Sequence, residues 1–183
     1  MIKLKSNQIA MKVFNMKSFD NIIFIKSYID NHISKIILSK VFYLVNQDIT
    51  NNMNFLINSS GGDIKEILIL LEYLDSLSLM YTSVGLGKII GGSAFILATA
   101  NNNRILYPNA ILGMQIMKDN SVNNEETLVN YSNDLARLSL LFSRYVRITK
   151  KAQFTKIIEK HQRNVYFTPK EALQLGIIDR VIK

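Results

Sequence analysis

The sequence has no cysteine, no tryptophan, only 2 prolines and only 8 glycines in 183 residues. The missing cysteine excludes a disulfide framework, a Cys-based zinc site and a thiol nucleophile. It does not fix a compartment, since reducing and oxidising surroundings both tolerate such a chain. The low proline and glycine content excludes a collagen-like or low-complexity chain. No apolar run approaches the roughly 18 residues that would read as a membrane span, so no membrane association is expected. Histidine is scarce too. His32 and His161 are the 2 present, neither at metal-ligand spacing with a partner, so no metal site and no cofactor are expected.

What is present describes an ordinary globular domain. Hydrophobic residues make up 48% and charged residues 20%. A single domain of this length buries roughly 70% of the surface its unfolded chain exposes and needs no covalent staple. No repeat or linker divides residues 1–183. The 22 Lys+Arg against 14 Asp+Glu give a formal charge of +8. This excess is scattered, with no aromatic-interleaved basic stripe, so no nucleic-acid partner is expected. Heavy use of Asn, Ile and Lys is the bias that an AT-rich coding sequence produces. Met1 to Lys17 is basic but lacks the continuous apolar core of a secretory signal.

Strand and helix signals alternate. Asn21 to Ile25 is an apolar, β-branched run that reads as a buried strand. Ile33, Ile36, Ile37, Val41, Leu44 and Val45 recur at helical spacing, with Asn31 or Ser34 near the helix start. Met53 to Asn58 reads as a strand running into the turn Ser59-Ser60-Gly61-Gly62-Asp63. The helix that follows turns Ile64, Ile67, Leu68, Leu71, Leu74 and Leu77 inward. Thr82 to Leu86 is a third strand, ahead of Gly87-Lys88-Ile89-Ile90-Gly91-Gly92 and a short apolar helix from Ser93 to Ala100. Two strands flank the Pro108-Asn109 turn, and a long helix is expected after Glu125. Thr168-Pro169-Lys170-Glu171 is a capping box, Gly176 a helix stop, and Ile177 to Ile182 a last strand.

This alternation predicts an α/β domain with a largely parallel sheet. In such sheets, sites gather at strand–turn–helix junctions. The junctions at Ser59 to Asp63 and Gly87 to Ser93 are both glycine-rich, so backbone amides there can approach a ligand and together form an oxyanion hole. The competing reading is that these glycines serve only tight turns and close packing.

Four stretches, in order, resemble the proteolytic subunit of the Clp protease, a serine peptidase family. Phe55-Leu56-Ile57-Asn58-Ser59-Ser60-Gly61-Gly62 is similar to the family's Tyr-Ile-Asn-Ser-Pro-Gly-Gly. Gly87 through Ala98 resembles the segment that carries its nucleophile. Arg104-Ile105-Leu106-Tyr107-Pro108-Asn109 and Phe167 through Ile178 resemble two further family segments. The likeness runs from about Ile22 to Val181. It implies the ClpP/crotonase-like fold, a ββα superhelix with a long protruding handle helix. It also implies one domain over 1–183, with 1–20 as a flexible axial segment and about 115–148 as the handle region.

The departures bear on chemistry. The family's nucleophilic Ser falls on Gly91, its His on Gln115 and its Asp on Asn164. Acyl transfer to serine needs an attacking hydroxyl, an imidazole to take its proton and a carboxylate to orient the imidazole. Gly91 has no side chain, Gln115 has no ionisable group near neutral pH, and Asn164 has no charge. Loss of the nucleophile alone costs about a million-fold in well-studied triads. What remains is an oxyanion-type pair of backbone amides, assigned to Gly61 and Gly92. A relocated centre at Ser93, with His32 or His161 as its base, is one alternative; Ser93 as a turn-bonding residue is the plain one. The Pro of the family's Ser-Pro-Gly-Gly is replaced by Ser60, and Ile116 to Glu126 has no glycine where the family has a Gly-rich strand.

The resemblance therefore implies a non-catalytic subunit of ClpR type, which forms or tunes a heptameric ring, homomeric or mixed with ClpP-like subunits. An AAA+ Clp unfoldase is the implied docking partner. A plastid-type organelle, apicoplast or chloroplast stroma, is the implied location. A crotonase-like enzyme acting on an acyl thioester is a further alternative within the superfamily. Phe42 and Tyr43 on the first helix, and the helix after Glu125, are candidate ring contacts; the other reading puts them in the monomer's core.

Overall fold

The computed structural model describes residues 21–47, 53–115, 136 and 164–182. The segment 1–20 expected to be axial and, residue 136 apart, the expected handle region beyond Gln115 with its long helix after Glu125 lie outside the described residues. In chain order the elements are strand β1 (Ile22–Ile25), helix α1 (Asn31–Asn46), strand β2 (Met53–Ser59) and helix α2 (Ile64–Ser76). Strand β3 (Tyr81–Ile90), helix α3 (Gly92–Ala98) and strands β4 (Asn103–Leu106) and β5 (Ile111–Gln115) follow. Strand β6 (Asn164–Phe167), helix α4 (Pro169–Gln174) and strand β7 (Arg180–Val181) complete them.

Strands β1, β2, β3, β4 and β7 lie side by side in that order, all parallel. Each β–α–β step from β1 to β4 advances one strand in the same direction. Right-handed crossovers then place α1, α2 and α3 on one face of the sheet, and α1 packs on α2 and α2 on α3. Strand β2 shows the period-two alternation this requires. Met53, Phe55 and Ile57 are buried, while the residues between them are partly or fully exposed. The α/β class with a mainly parallel sheet is as expected.

Helices α1 and α2 start where carboxylates cap them. Asp30 accepts the Ile33 N–H at 2.9 Å and caps α1, whose first residue is Asn31. Asp63 accepts the Lys65 N–H at 2.9 Å and caps α2. The inward faces follow the helical spacing: Ser34, Ile37, Val41 and Leu44 are buried on α1. Phe42 and Tyr43 are 60% and 53% exposed, so they are not part of this chain's core. With Leu38, Ser39, Ile69 and Tyr73 nearby, Phe42 lines a groove of about 370 Å³ between α1 and α2.

Strand β3 departs from expectation. It does not end at Leu86 but runs on to Ile90 through an irregularity. Ile57 pairs with Gly85 and Ser59 with Ile89, so the single residue Asn58 on β2 stands opposite three on β3. The Asn58 Oδ1 accepts the Lys88 N–H at 3.1 Å, and Gly87 takes φ +63°. Such a bulge bends a strand. Before it, β3 pairs with β4 over Thr82–Gly85; after it, with β5 over Lys88–Ile90. Strands β4 and β5 therefore flank the same strand at different heights. Strand β6, which sequence reading did not identify, adds antiparallel to β5. The last strand is only Arg180–Val181, because Gly176 at φ +75° ends α4 in a turn and Ile177 and Ile178 pack into the core.

Two polar contacts fasten the chain's end. Arg104, only 2% exposed, makes a bidentate pair with Asp179: Nε to Oδ2 at 2.9 Å and Nη2 to Oδ1 at 2.7 Å. The Arg104 N–H donates to the same carboxylate at 2.9 Å, and the Asp179 N–H returns to the Arg104 carbonyl at 2.8 Å. At α4, Thr168 and Glu171 form the capping box read from sequence, with the Thr168 N–H donating to Glu171 Oε2 at 2.8 Å. Elsewhere in the core, Tyr81 stacks edge-on against Phe55 at 5.1 Å and shares a 3.1 Å hydrogen bond with Thr99 Oγ1. Burial pushes the Tyr81 phenol up to about 12, so it stays neutral.

Asp179→Ala is expected to lower unfolding free energy by about 2 kcal/mol, measured by urea denaturation. Losing one partner of a fully buried pair costs about 3–5 kcal/mol, reduced here because the aspartate is partly exposed. The Thr168 backbone and hydroxyl donors hold the Glu171 carboxyl below its ordinary value of 4.5. Its contribution is therefore present above that value and is lost as pH falls through the lower, folded-state one. Glu171→Gln should flatten that acid-side loss in thermal melts taken at successive pH values below 4.5.

Candidate functional site

The bulge in β3 sets the direction in which the strand meets α3. At the junction stands Gly91, with φ 59° and ψ −128°. This positive-φ conformation is costly for any residue with a Cβ. Its N–H donates to the Gly113 carbonyl at 2.8 Å and its carbonyl accepts from Ala94 at 3.0 Å. A sharp strand-to-helix turn around one strained residue is the geometry that lifts a serine nucleophile out of a sheet. Here the strained residue carries no side chain.

The first glycine-rich turn lies directly against this one. A Cβ on Gly61 would sit 2.8 Å from the Ile90 carbonyl oxygen and 3.1 Å from the Gly92 nitrogen. A Cβ on Gly92 would strike Ile67, and one on Gly62 would strike Ile29. Close packing alone therefore accounts for these glycines, whatever else they do.

Gly61 does not offer its amide to a pocket. Its N–H donates to the buried Ser59 Oγ at 3.1 Å. This differs from the expectation that Gly61 supplies an oxyanion amide. The cause is Ser59, whose hydroxyl folds back over its own turn and donates to the Ser27 carbonyl at 2.6 Å. Gly62 is placed otherwise. It forms a parallel bridge with Ile29, in which the Ile29 N–H donates to the Gly61 carbonyl and the Asp63 N–H to the Ile29 carbonyl, both at 2.9 Å. The alternation of a parallel ladder turns the N–H of Gly62 itself to the opposite side. Gly92 occupies the first position of α3, where an N–H has no intrahelical acceptor.

The other two expected positions come to the same place through the main chain. Gly113, which holds the Gly91 amide, is two residues before Gln115 on β5. Gln115 and Asn164 are register partners across the β5–β6 ladder. Positions 91, 115 and 164 are thus assembled at one end of the sheet. Tyr166, half-exposed, lies over Gly113: a Cβ there would meet its ring at 2.9 Å. Sequence reading missed this aromatic wall. Val165-Tyr166-Phe167 carries no polar–apolar alternation in sequence that would have marked it.

Ser93 is not placed to attack anything. It is fully buried. Its Oγ accepts the Ile90 N–H at 3.0 Å and is within donating distance of the Ser59 carbonyl at 2.8 Å and the Ile90 carbonyl at 2.9 Å. It is a bolt between β2 and the β3–α3 turn. Of the two histidines offered as its base, His32 is exposed on α1 and His161 lies outside the described residues. Among the described residues, no cluster of three or more His, Asp or Glu could hold a metal ion. None of their helices is long and apolar enough to cross a membrane.

With this geometry in view, comparison with known proteins is decisive on kinship. The family model described as Clp protease matches residues 5–183. The chain belongs to the Clp protease family. One relative is the ATP-dependent Clp protease proteolytic subunit of Mesostigma viride, 23% identical over 172 residues, a span of 93% of this chain and 75% of the relative. Among solved structures, a peptidase from Plasmodium falciparum superposes with a TM-score of 0.73 at 21% identity, covering 89% of this chain and 96% of the other. That likeness shows a shared ClpP-type fold.

Ser93→Ala removes the hydroxyl and leaves the Ile90 N–H and Ser59 carbonyl without it. The expected loss is about 1–3 kcal/mol in chemical denaturation. A fluorophosphonate should leave the unaltered chain unlabelled; adduct formation at Ser93 would restore the relocated-serine reading.

Proposed function

We propose that this Clp-family chain is a non-catalytic, ClpR-type subunit of a Clp protease core. The observation that carries the reading is Gly91: the residue at the strained elbow, where a serine hydrolase needs its hydroxyl, has no side chain. Beside that elbow Gly92 holds the first position of α3, where an N–H has no intrahelical acceptor, while the Gly61 N–H is taken by Ser59 Oγ. Preorganised donors of this kind are worth roughly a thousand-fold over water when no triad acts with them, far below useful peptide hydrolysis. Gln115 supplies no base at the register position beside Asn164. Burial of Ser93 and its backbone bonds argue against a relocated nucleophile, and no observation favours acyl-thioester chemistry.

The role that remains is architectural. The subunit completes or tunes a heptameric ring, homomeric or mixed with active ClpP-like subunits, that works with an AAA+ Clp unfoldase. Exposed Phe42 and Tyr43, which the monomer leaves uncovered, support a lateral contact through α1. A plastid-type organelle is the proposed location, supported by the Mesostigma viride relative and by the Asn, Ile and Lys bias.

Gly91→Ser alone is expected to leave small peptide esters intact, because no base accompanies it. Adding Gln115→His and Asn164→Asp supplies the imidazole and its orienting carboxylate, and slow turnover should then appear. Robust hydrolysis by the single variant would overturn the base assignment. In light scattering the chain, alone or with its ClpP-like partner, should have the mass of a heptameric ring. Phe42→Asp should shift it to monomer with an unchanged circular dichroism melt; a monomeric parent in both settings would sink the ring proposal.

A further inference from the structure

We draw no further inference here: the strongest candidate, the apolar groove between α1 and α2 lined by Leu38, Ser39, Phe42, Ile69 and Tyr73, carries nothing beyond the lateral contact already proposed because nothing in the structure shows what covers it, and the exposed face of β5 and β6 around Tyr166 belongs to the site already described.

Discussion

One side-chain amide governs where the site stands. Asn58 accepts the Lys88 N–H and so holds β3 at the point where three of its residues oppose one on β2. Without that displacement β3 would continue alongside β4. With it, the strand turns away, gains β5 as a new neighbour and delivers Gly91 against the turn at Gly61. The second hydroxyl layer, Ser59 and Ser93, then ties the delivered turn to β2 and to the chain around Ser27. Every feature of the cradle depends on a main-chain path that this bulge defines.

The two serines also explain how the glycine turns keep their shape. Ser93 stands two residues beyond the elbow at Gly91. In this chain the hydroxyl faces inward and satisfies buried backbone groups. A buried N–H or carbonyl left without a partner costs about 1–3 kcal/mol, so such a bond contributes to holding the turn whether or not any chemistry occurs there.

Much of the fold was legible because it rests on periodicity. The three-and-four spacing from Ile33 to Leu44 and the alternation through Met53 to Ile57 reappear as the buried faces of α1 and β2. The capping box at Thr168 and Glu171 stands where local chemistry placed it. Strand β3 beyond Leu86 was missed because glycine and lysine read as a turn, and only the Asn58 contact, thirty residues away in sequence, makes them a strand. Strand β6 is too short for its alternation to stand out. In the site, the elbow at Gly91 and its glycine neighbours could be located from motif order. The bond from the Gly61 N–H to the Ser59 hydroxyl could not, since it depends on how that side chain folds back over its own turn.

The register that aligns Gln115 with Asn164 is made entirely of peptide groups, and the elbow at Gly91 is likewise secured through its own N–H and carbonyl. The ladder therefore sets positions 115 and 164 through the main chain, while the positive φ at position 91 favours glycine there. An exchange of side chain at 115 or 164 can leave the main-chain register in place. A well-behaved preparation of a protein built this way is no witness to its competence as a catalyst.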